Sequence, residues 1–411
     1  MNVEELVRDS LRELAGEQQG AAPDLAEQVL RARGRRRGRR IAAAVAAGAA
    51  VVAVATAVPL LGPGGAGERN RHAVTTPDGT KVSAHPDQSP PADLIAAGDV
   101  AMAAYYRTGS VPVPGGRFVL RRTYWLLDPT TDRYEKDTRW SFVAVAPGLE
   151  TAAVLERQLP ARRVGLLDLG TGKVERWIPL ERGAGGLAYS SDGTKLVATT
   201  YGNHPDPYVP KDTPGDDGSY VLPPRDPHRT GFYVLDVASG KADWSRVAAR
   251  GDDYFGQRQD FAFGRDGRSV YCQVLGGRDG LQRFYGLDGD EIAAPAAERR
   301  LRADVPARLS PDGRLAALGL TREVEPDESY SSVVDPRTGK EVAQVRGAQL
   351  LAWVDDRRLI AWERASKLDA PYLPRLVLVT LGEKEAVPLS GVREADTDPS
   401  RQGWEPVLAR R

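Results

Sequence analysis

The chain has 411 residues, enough by length for two or three domains, and its 56 basic side chains balance its 56 acidic ones. The balance is uneven. Residues 1–40 hold nine Arg against seven acids, so the remainder carries a net charge of −2, cannot exchange counterions with phosphates and is expected to bind no nucleic acid. Cys272 is the sole cysteine, which excludes an intramolecular disulfide and a cysteine zinc cluster.

Residues 2–15 place Val3, Leu6, Val7, Leu11 and Leu14 on one helical face. Asp24 is placed to cap a second helix with Leu25, Val29 and Ala32 on its apolar side. This short helical segment ends in RARGRRRGRR, seven arginines between Arg31 and Arg40. Then comes IAAAVAAGAAVVAVATAVPLL, Ile41 to Leu61, without a charge. At about 1.5 Å per residue it makes a helix roughly 31 Å long, close to the roughly 30 Å hydrocarbon core of a bilayer. Each Arg costs about 2.5–3.5 kcal/mol at the bilayer centre, and such clusters stay on the cytoplasmic side. The expectation is a cytoplasmic segment 1–40, a transmembrane helix 41–61 in the membrane bilayer, and everything after it outside the cell membrane. Two alternatives stay open: a signal segment cleaved around Gly65–Gly67, and an Ala-rich helix buried in a soluble protein.

Residues 62–116 read as linker and lead-in. The first thirty are rich in Gly, Pro and Ser, and 92–106 (ADLIAAGDVAMAAYY) suit a short helix or a lead-in strand. From residue 117 to 411 the chain is repetitive. One motif is an apolar strand, a tight turn and a second apolar strand: VAVAPGLETAAVL (143–155), LAYSSDGTKLVATTY (187–201), FAFGRDGRSVYCQVL (261–275), ARLSPDGRLAALGL (307–320) and LAWVDDRRLIAW (351–362). The turn positions Gly148, Gly193, Gly267, Gly313 and Arg357 are 45, 74, 46 and 44 residues apart. Removing the 29 Pro-rich residues of Gly202 to Thr230 from the long step returns it to 45. Between these hairpins lie others, with Asp128, Asp168, Asp236, Asp288, Asp335 and Thr380 at their turns. Two hairpins per period of about 45 residues make four strands, the size of a propeller blade. The fold class expected is all-β: a β-propeller of about six four-stranded blades, seven if 73–116 contribute, with the tail 391–411 and Trp404 closing the ring.

The strand–S-P-D-G-R–strand pattern at 309–316, echoed at 190–197 and 264–270, resembles the WD40-like or TolB-like propeller repeat of bacterial envelope proteins. The chain lacks the Trp-Asp dipeptide and Gly-His start of eukaryotic WD40 repeats. Its layout looks like single-pass bacterial membrane proteins with an extracytoplasmic propeller. For TolB-like domains the resemblance implies protein binding, with other envelope proteins or a surface polymer as partners. It carries no residue role with it.

The sequence holds no G-x-S-x-G elbow, S-x-x-K or Walker motif. No catalytic, cofactor-binding or metal residue and no cofactor are expected. His72 and His85 fall in the linker; His204 and His228 bracket the insertion 202–230, where Asp206, Asp212, Asp216, Asp217 and Asp226 match no metal-ligand spacing. Glu323, Glu325, Asp327 and Glu328 read as a solvated turn, Cys272 as a buried strand thiol, and most of the seven Trp as core. The function expected is a non-enzymatic binding or scaffold module that signals through its cytoplasmic helices; the alternative is a propeller-loop hydrolase or lactonase. The insertion is the candidate partner loop, through Asn203, His204, Tyr208, Tyr220 and His228, because binding residues concentrate on loops held by a rigid scaffold.

Overall fold

The computed structural model describes residues 81–113, 117–206, 229–248, 258–274, 282–324, 328–367, 372–393 and 403–411, with the strand backbones of 73–75 and 208–210. The chain divides into a unit of residues 1–68 and a unit of residues 69–411. The expected cytoplasmic helices and the expected 41–61 span fall in the first and lie outside the described residues. Among the described residues no helix is long and apolar enough to cross a membrane.

The second unit is built from strands. The first group is β1 (Ala73–Thr75), β2 (Lys81–Ser83), β3 (Ala96–Ala97), β4 (Val100–Val113), β5 (Arg117–Asp128) and β6 (Arg133–Asp137). There follow β7 (Trp140–Val145), β8 (Thr151–Glu156), β9 (Ala161–Asp168), β10 (Lys173–Tyr189), β11 (Lys195–Tyr201), β12 (Tyr208–Pro210), β13 (Arg229–Asp236) and β14 (Ala242–Arg246). The last are β15 (Ala262–Phe263), β16 (Ser269–Gln273), β17 (Gln282–Gly286), β18 (Glu291–Ile292), β19 (Ala316–Val324), β20 (Glu328–Val334), β21 (Glu341–Arg346), β22 (Gln349–Trp353), β23 (Arg358–Arg364), β24 (Pro374–Thr380), β25 (Ala386–Pro388) and β26 (Glu405–Arg410). They form sheets of eight, seven, four, three and four strands. Nearly all pairings join sequence neighbours antiparallel, the up-and-down pattern of a propeller-like fold.

Each expected hairpin is present. The five strand–turn–strand motifs are β7–β8, β10–β11, β15–β16, the Leu309↔Ala316 bridge leading into β19, and β22–β23. The intervening ones are β5–β6, β9–β10, β13–β14, β17–β18, β20–β21 and β24–β25. At the Asp-Gly turns Gly193 (φ +72°) and Gly313 (φ +76°) adopt the left-handed conformation that glycine tolerates. The preceding Asp192 and Asp312 organise the turns, accepting the amides of Thr194 (3.0 Å) and Arg314 (2.9 Å). Arg357, which replaces the glycine, sits in a turn where Asp355 Oδ1 takes the amides of Arg357 and Arg358 (2.8 and 2.9 Å). The Asp of the second hairpins shapes its turn in the same way. Asp236 Oδ1 accepts from Ser239 N (2.7 Å) and Asp335 Oδ1 from Arg337 N (2.8 Å). The Ser239 hydroxyl and then its amide hold the Asp236 carboxyl below the usual range, as the amides of Thr338 and then Arg337 do for Asp335.

Burial follows position in the sheet. The middle strands β8, β11, β23 and β24 are buried almost throughout, whereas β14, β21 and β25 are largely exposed or half-buried. A strand buried on both faces needs cover on both sides, which adjacent sheets supply. Cys272 is buried on β16, as expected. Trp140, Trp353, Trp362 and Trp404 are buried, while half-buried Trp125, Trp177 and Trp244 each lie beneath a cation: Lys136, Arg163 and Arg182.

The last strand returns to the first sheet. β26 pairs with β4 from Glu405↔Tyr106 to Arg410↔Val100, so the tail does close on the first strands. Trp404, 1% exposed, packs against Tyr105 and Trp362, and its Nε1 donates to Ser89 Oγ (3.1 Å). Part of the expected linker and lead-in therefore belongs to the sheets. From residue 81 the chain carries β2 to β4, His85 bridges Ser390, and Gly391 N donates to Gln88 O (2.8 Å). Its Gly/Pro/Ser content signals turns that are tied down by backbone bonds rather than a free coil. The stretch 92–106 takes the strand alternative, because β26 pairs along Val100 to Tyr106, with β3 on the other side at Val100 and Ala101 and β5 from Ala104. The acidic turn is also tied in: Glu323 pairs with Arg364 (3.2 Å), and Glu328 Oε2 accepts from Tyr330 OH (2.6 Å).

Candidate functional site

The β4–β5 hairpin is long, and β6 covers only the second half of β5, Tyr124 to Asp128. The insertion covers the other end. After β11 stops at Tyr201, Pro205 cannot donate to a ladder, and the chain leaves its sheet. It then returns as β12, which pairs Tyr208 with Val119 and Pro210 with Arg117 along the free edge of β5. The first part of the insertion links the seven-stranded sheet to the first.

Between these strands Asp206 points inward. Its side chain is 5% exposed, and Oδ1 lies 2.8 Å from Arg258 Nη1 and 3.5 Å from Arg122 Nη1. Arg258 also donates from Nε to Asp260 Oδ2 (2.9 Å) and from Nη2 to the carbonyl of Gly185. Asp260 Oδ1 accepts from Tyr201 OH (2.7 Å). Burial raises the Asp206 carboxyl, but Arg258 and Arg122 outweigh it and hold the group below the usual carboxylate range. Burial would lower Arg258; Asp260 and Asp206 reverse this and keep the guanidinium charged. Tyr201 is pushed well up, first by burial and then by Asp260.

The strand beneath is shaped for this cluster. A Cβ on Gly186 would sit 2.3 Å from the Asp260 carboxylate, and one on Gly185 would meet the Tyr201 ring at 2.7 Å. Glycines inside a strand mark a close approach; here they admit Asp260 and Tyr201 to β10, while Arg258 reaches the Gly185 carbonyl.

Above the cluster opens a cavity of about 630 Å³. Its wall comes from β26, β7 and the second half of β10, with Arg122, Arg258, Asp260 and Arg410 as its charged members. Tyr106, Tyr124, Phe142 and Tyr189 supply aromatic surface. Phe142 lies between the two guanidiniums, 5.5 Å from Arg122 and 5.1 Å from Arg258. Tyr106 is raised by burial and pulled back by Arg122 beside it. A second cavity of about 390 Å³ lies across β26, walled by Leu351, Ala352 and Trp353.

Of the candidate loop residues, Asn203 is exposed, and half-buried His204 uses Nδ1 to accept the amide of Asp206 (3.2 Å). Tyr208 opens β12; Tyr220 and His228 lie outside the described residues. The structure thus brings His204 to the cluster. Sequence reasoning missed Arg122, Arg258 and Asp260, which stand outside the repeats. Two signals pointed there: the run Gly183-Ala184-Gly185-Gly186 inside a strand, and Arg258 and Asp260 two residues apart just before a repeat. Asp206, weighed as a metal ligand, faces arginines instead. Among the described residues no group of three or more His, Cys, Asp or Glu is placed to hold a metal ion.

No protein-family profile matches the chain, and no curated protein matches it. Solved structures do. Hydrazine synthase from Kuenenia stuttgartiensis matches at 12% identity and a TM-score of 0.34, over 63% of this chain and 66% of that one. TolB from Acinetobacter baumannii matches at 14% and 0.37, over 70% and 65%. The β-propeller domain of Cps50 (Swd1) from Myceliophteria thermophila matches at 13% and 0.30, over 70% and 97%. The match spans just under two thirds of the first two. At these TM-scores the likenesses carry no functional argument, and the fold rests on the strand pairing itself.

Proposed function

We propose that the protein is a membrane-anchored, extracytoplasmic propeller that works as a non-enzymatic binding or scaffold module. Residues 41–61 hold it in the bilayer, and the helices of 1–40 pass its state to the cytoplasm. The Arg31–Arg40 cluster before the apolar span supports the orientation. Six blades are the count the pairing favours. The seven-stranded sheet divides into two four-stranded units that share β10, whose first half pairs with β9 and second half with β11. The Leu309↔Ala316 bridge supplies a fourth strand to the three-stranded sheet, and β26, β4, β5 and β6 make the unit that joins the ends.

The observation that carries the binding role is the way the acids at and beneath the cavity are used. Asp206 and Asp260 are tied to Arg258, Arg122 and Tyr201 at hydrogen-bond or ion-pair distance. A general base must reach a substrate proton with a free lone pair, and carboxylates spent on guanidiniums serve shape and charge instead. In intact cells, reporter fusions at residue 35 and after Arg411 are expected to lie on opposite sides of the membrane. A panel of ester and lactone substrates should not be turned over by the purified full-length protein. Same-sided reporters or turnover that survives repurification overturn the proposal.

A further inference from the structure

We infer that the 630 Å³ cavity is a binding site for an organic carboxylate with an apolar body, and that Arg122 is the residue that takes the carboxylate. This rests on the binding-module reading and deepens it.

The two arginines at the wall are used differently. Arg258 spends Nε, Nη1 and Nη2 on Asp260, Asp206 and the Gly185 carbonyl. Arg122 is 16% exposed, its ion pair to Asp206 is long at 3.5 Å, and its buried Nη1 has no hydrogen-bond partner among the described residues. A guanidinium offers five N–H donors in a planar fork that fits a carboxylate on two bonds. The Tyr106 and Phe142 rings flank it at 5.6 and 5.5 Å. Such stacking fixes the plane of the fork in advance, which lowers the ordering cost of binding.

Charge agrees. The wall carries Arg122, Arg258 and Arg410 against Asp260, and Asp206 behind it, paired to Arg258 and Arg122, leaves one positive charge in excess. Most of the rest of the wall is apolar and aromatic, including Tyr124, Val143, Leu187, Val407 and Leu408, with Ser190 and Ser191 as polar members. An inorganic anion would leave that surface unused, and a volume of this size lies in the range of small-molecule pockets. A free acid and the acidic side chain of a partner present the same group.

Phenylacetate stands for the free acid and acetyl-Phe-Asp-amide for the side chain; phenylacetamide is the uncharged control. Binding is read by isothermal titration on the full-length protein in detergent. At least one carboxylate probe should bind, and phenylacetamide should bind at least tenfold more weakly. Arg122→Gln should raise Kd of the bound probe at least tenfold, about 1.4 kcal/mol. Ala409→Phe, which narrows the cavity from β26 without touching Arg122, should also weaken it, with both variants checked for unchanged thermal unfolding. Should Arg122→Gln fail to fold, Ala409→Phe and the amide control still decide. Which probe binds identifies the source of the carboxylate. Equal binding of acid and amide, binding indifferent to both substitutions, or no binding by either carboxylate overturns the inference. In each of those cases opposite-sided reporters and absence of turnover would leave the binding-module reading standing.

Discussion

Replacing Asp206 by Ala should destabilise the second unit by about 3 kcal/mol at neutral pH. Its carboxylate is nearly fully buried against Arg258 at 2.8 Å, with Arg122 further off at 3.5 Å. Removing one partner of a buried ion pair costs about 3–5 kcal/mol, because the other charge is left uncompensated. Arg258 keeps Asp260 at 2.9 Å and the Gly185 carbonyl, which places the loss at the low end of that range. The pH dependence has a definite sign. The folded carboxyl of Asp206 is held below its ordinary value, so the stabilisation is complete above the unfolded value near 3.9 and fades as pH falls through the lowered folded value. Urea unfolding of the full-length protein, followed by Trp fluorescence at several pH values, measures both. The gap between wild type and Asp206→Ala should be constant from neutral pH down to about 5 and shrink below about 4. A gap under about 0.5 kcal/mol at pH 7, the range of plain surface substitutions, would refute the burial of this pair.

Gly193→Val and Gly313→Val should each cost about 1–3 kcal/mol in unfolding free energy, since both glycines sit at positive φ where a β-branched side chain is strained. Gly109→Ala, with nothing within 4 Å of the new Cβ, is the control and should lie within about 0.5 kcal/mol of wild type. Trp404→Ala should cost about 3–5 kcal/mol by opening a hole behind the β26–β4 closure, read in the same unfolding assay. Replacing 211–228 with a Gly-Ser link should leave the unfolding midpoint in place. Replacing 203–229 should lower it, because Asp206 and β12 go with the longer segment; equal midpoints would show that β12 adds nothing.

The repeats were legible because their signal is local. Asp-Gly turns and hairpin-opening Asp residues act within four residues of themselves, as the bonds from Thr194 N to Asp192 and Ser239 N to Asp236 demonstrate, so a single sequence displays them. The tail closure was legible through Trp404, a large apolar side chain in an otherwise polar stretch. The centre was not. Arg122, Asp206 and Arg258 come from β5, the insertion and the approach to β15, and only the folded chain brings them together. Proline content correctly placed the insertion outside its own repeat. It said nothing of the strand edge that β12 would find on β5, which depended on β6 covering only half of its neighbour.

Binding through the cavity beside β26 can be tested in the full-length protein expressed in cells. One photo-crosslinking residue is placed at Val407, on the cavity wall, and another at Val342, 58% exposed on β21. A discrete adduct is expected at Val407, resolved by mass spectrometry to one mass and suppressed by Arg122→Gln, with no such adduct at Val342. The same adducts from both positions, or a Val407 adduct indifferent to Arg122→Gln, would show that this propeller does not bind there.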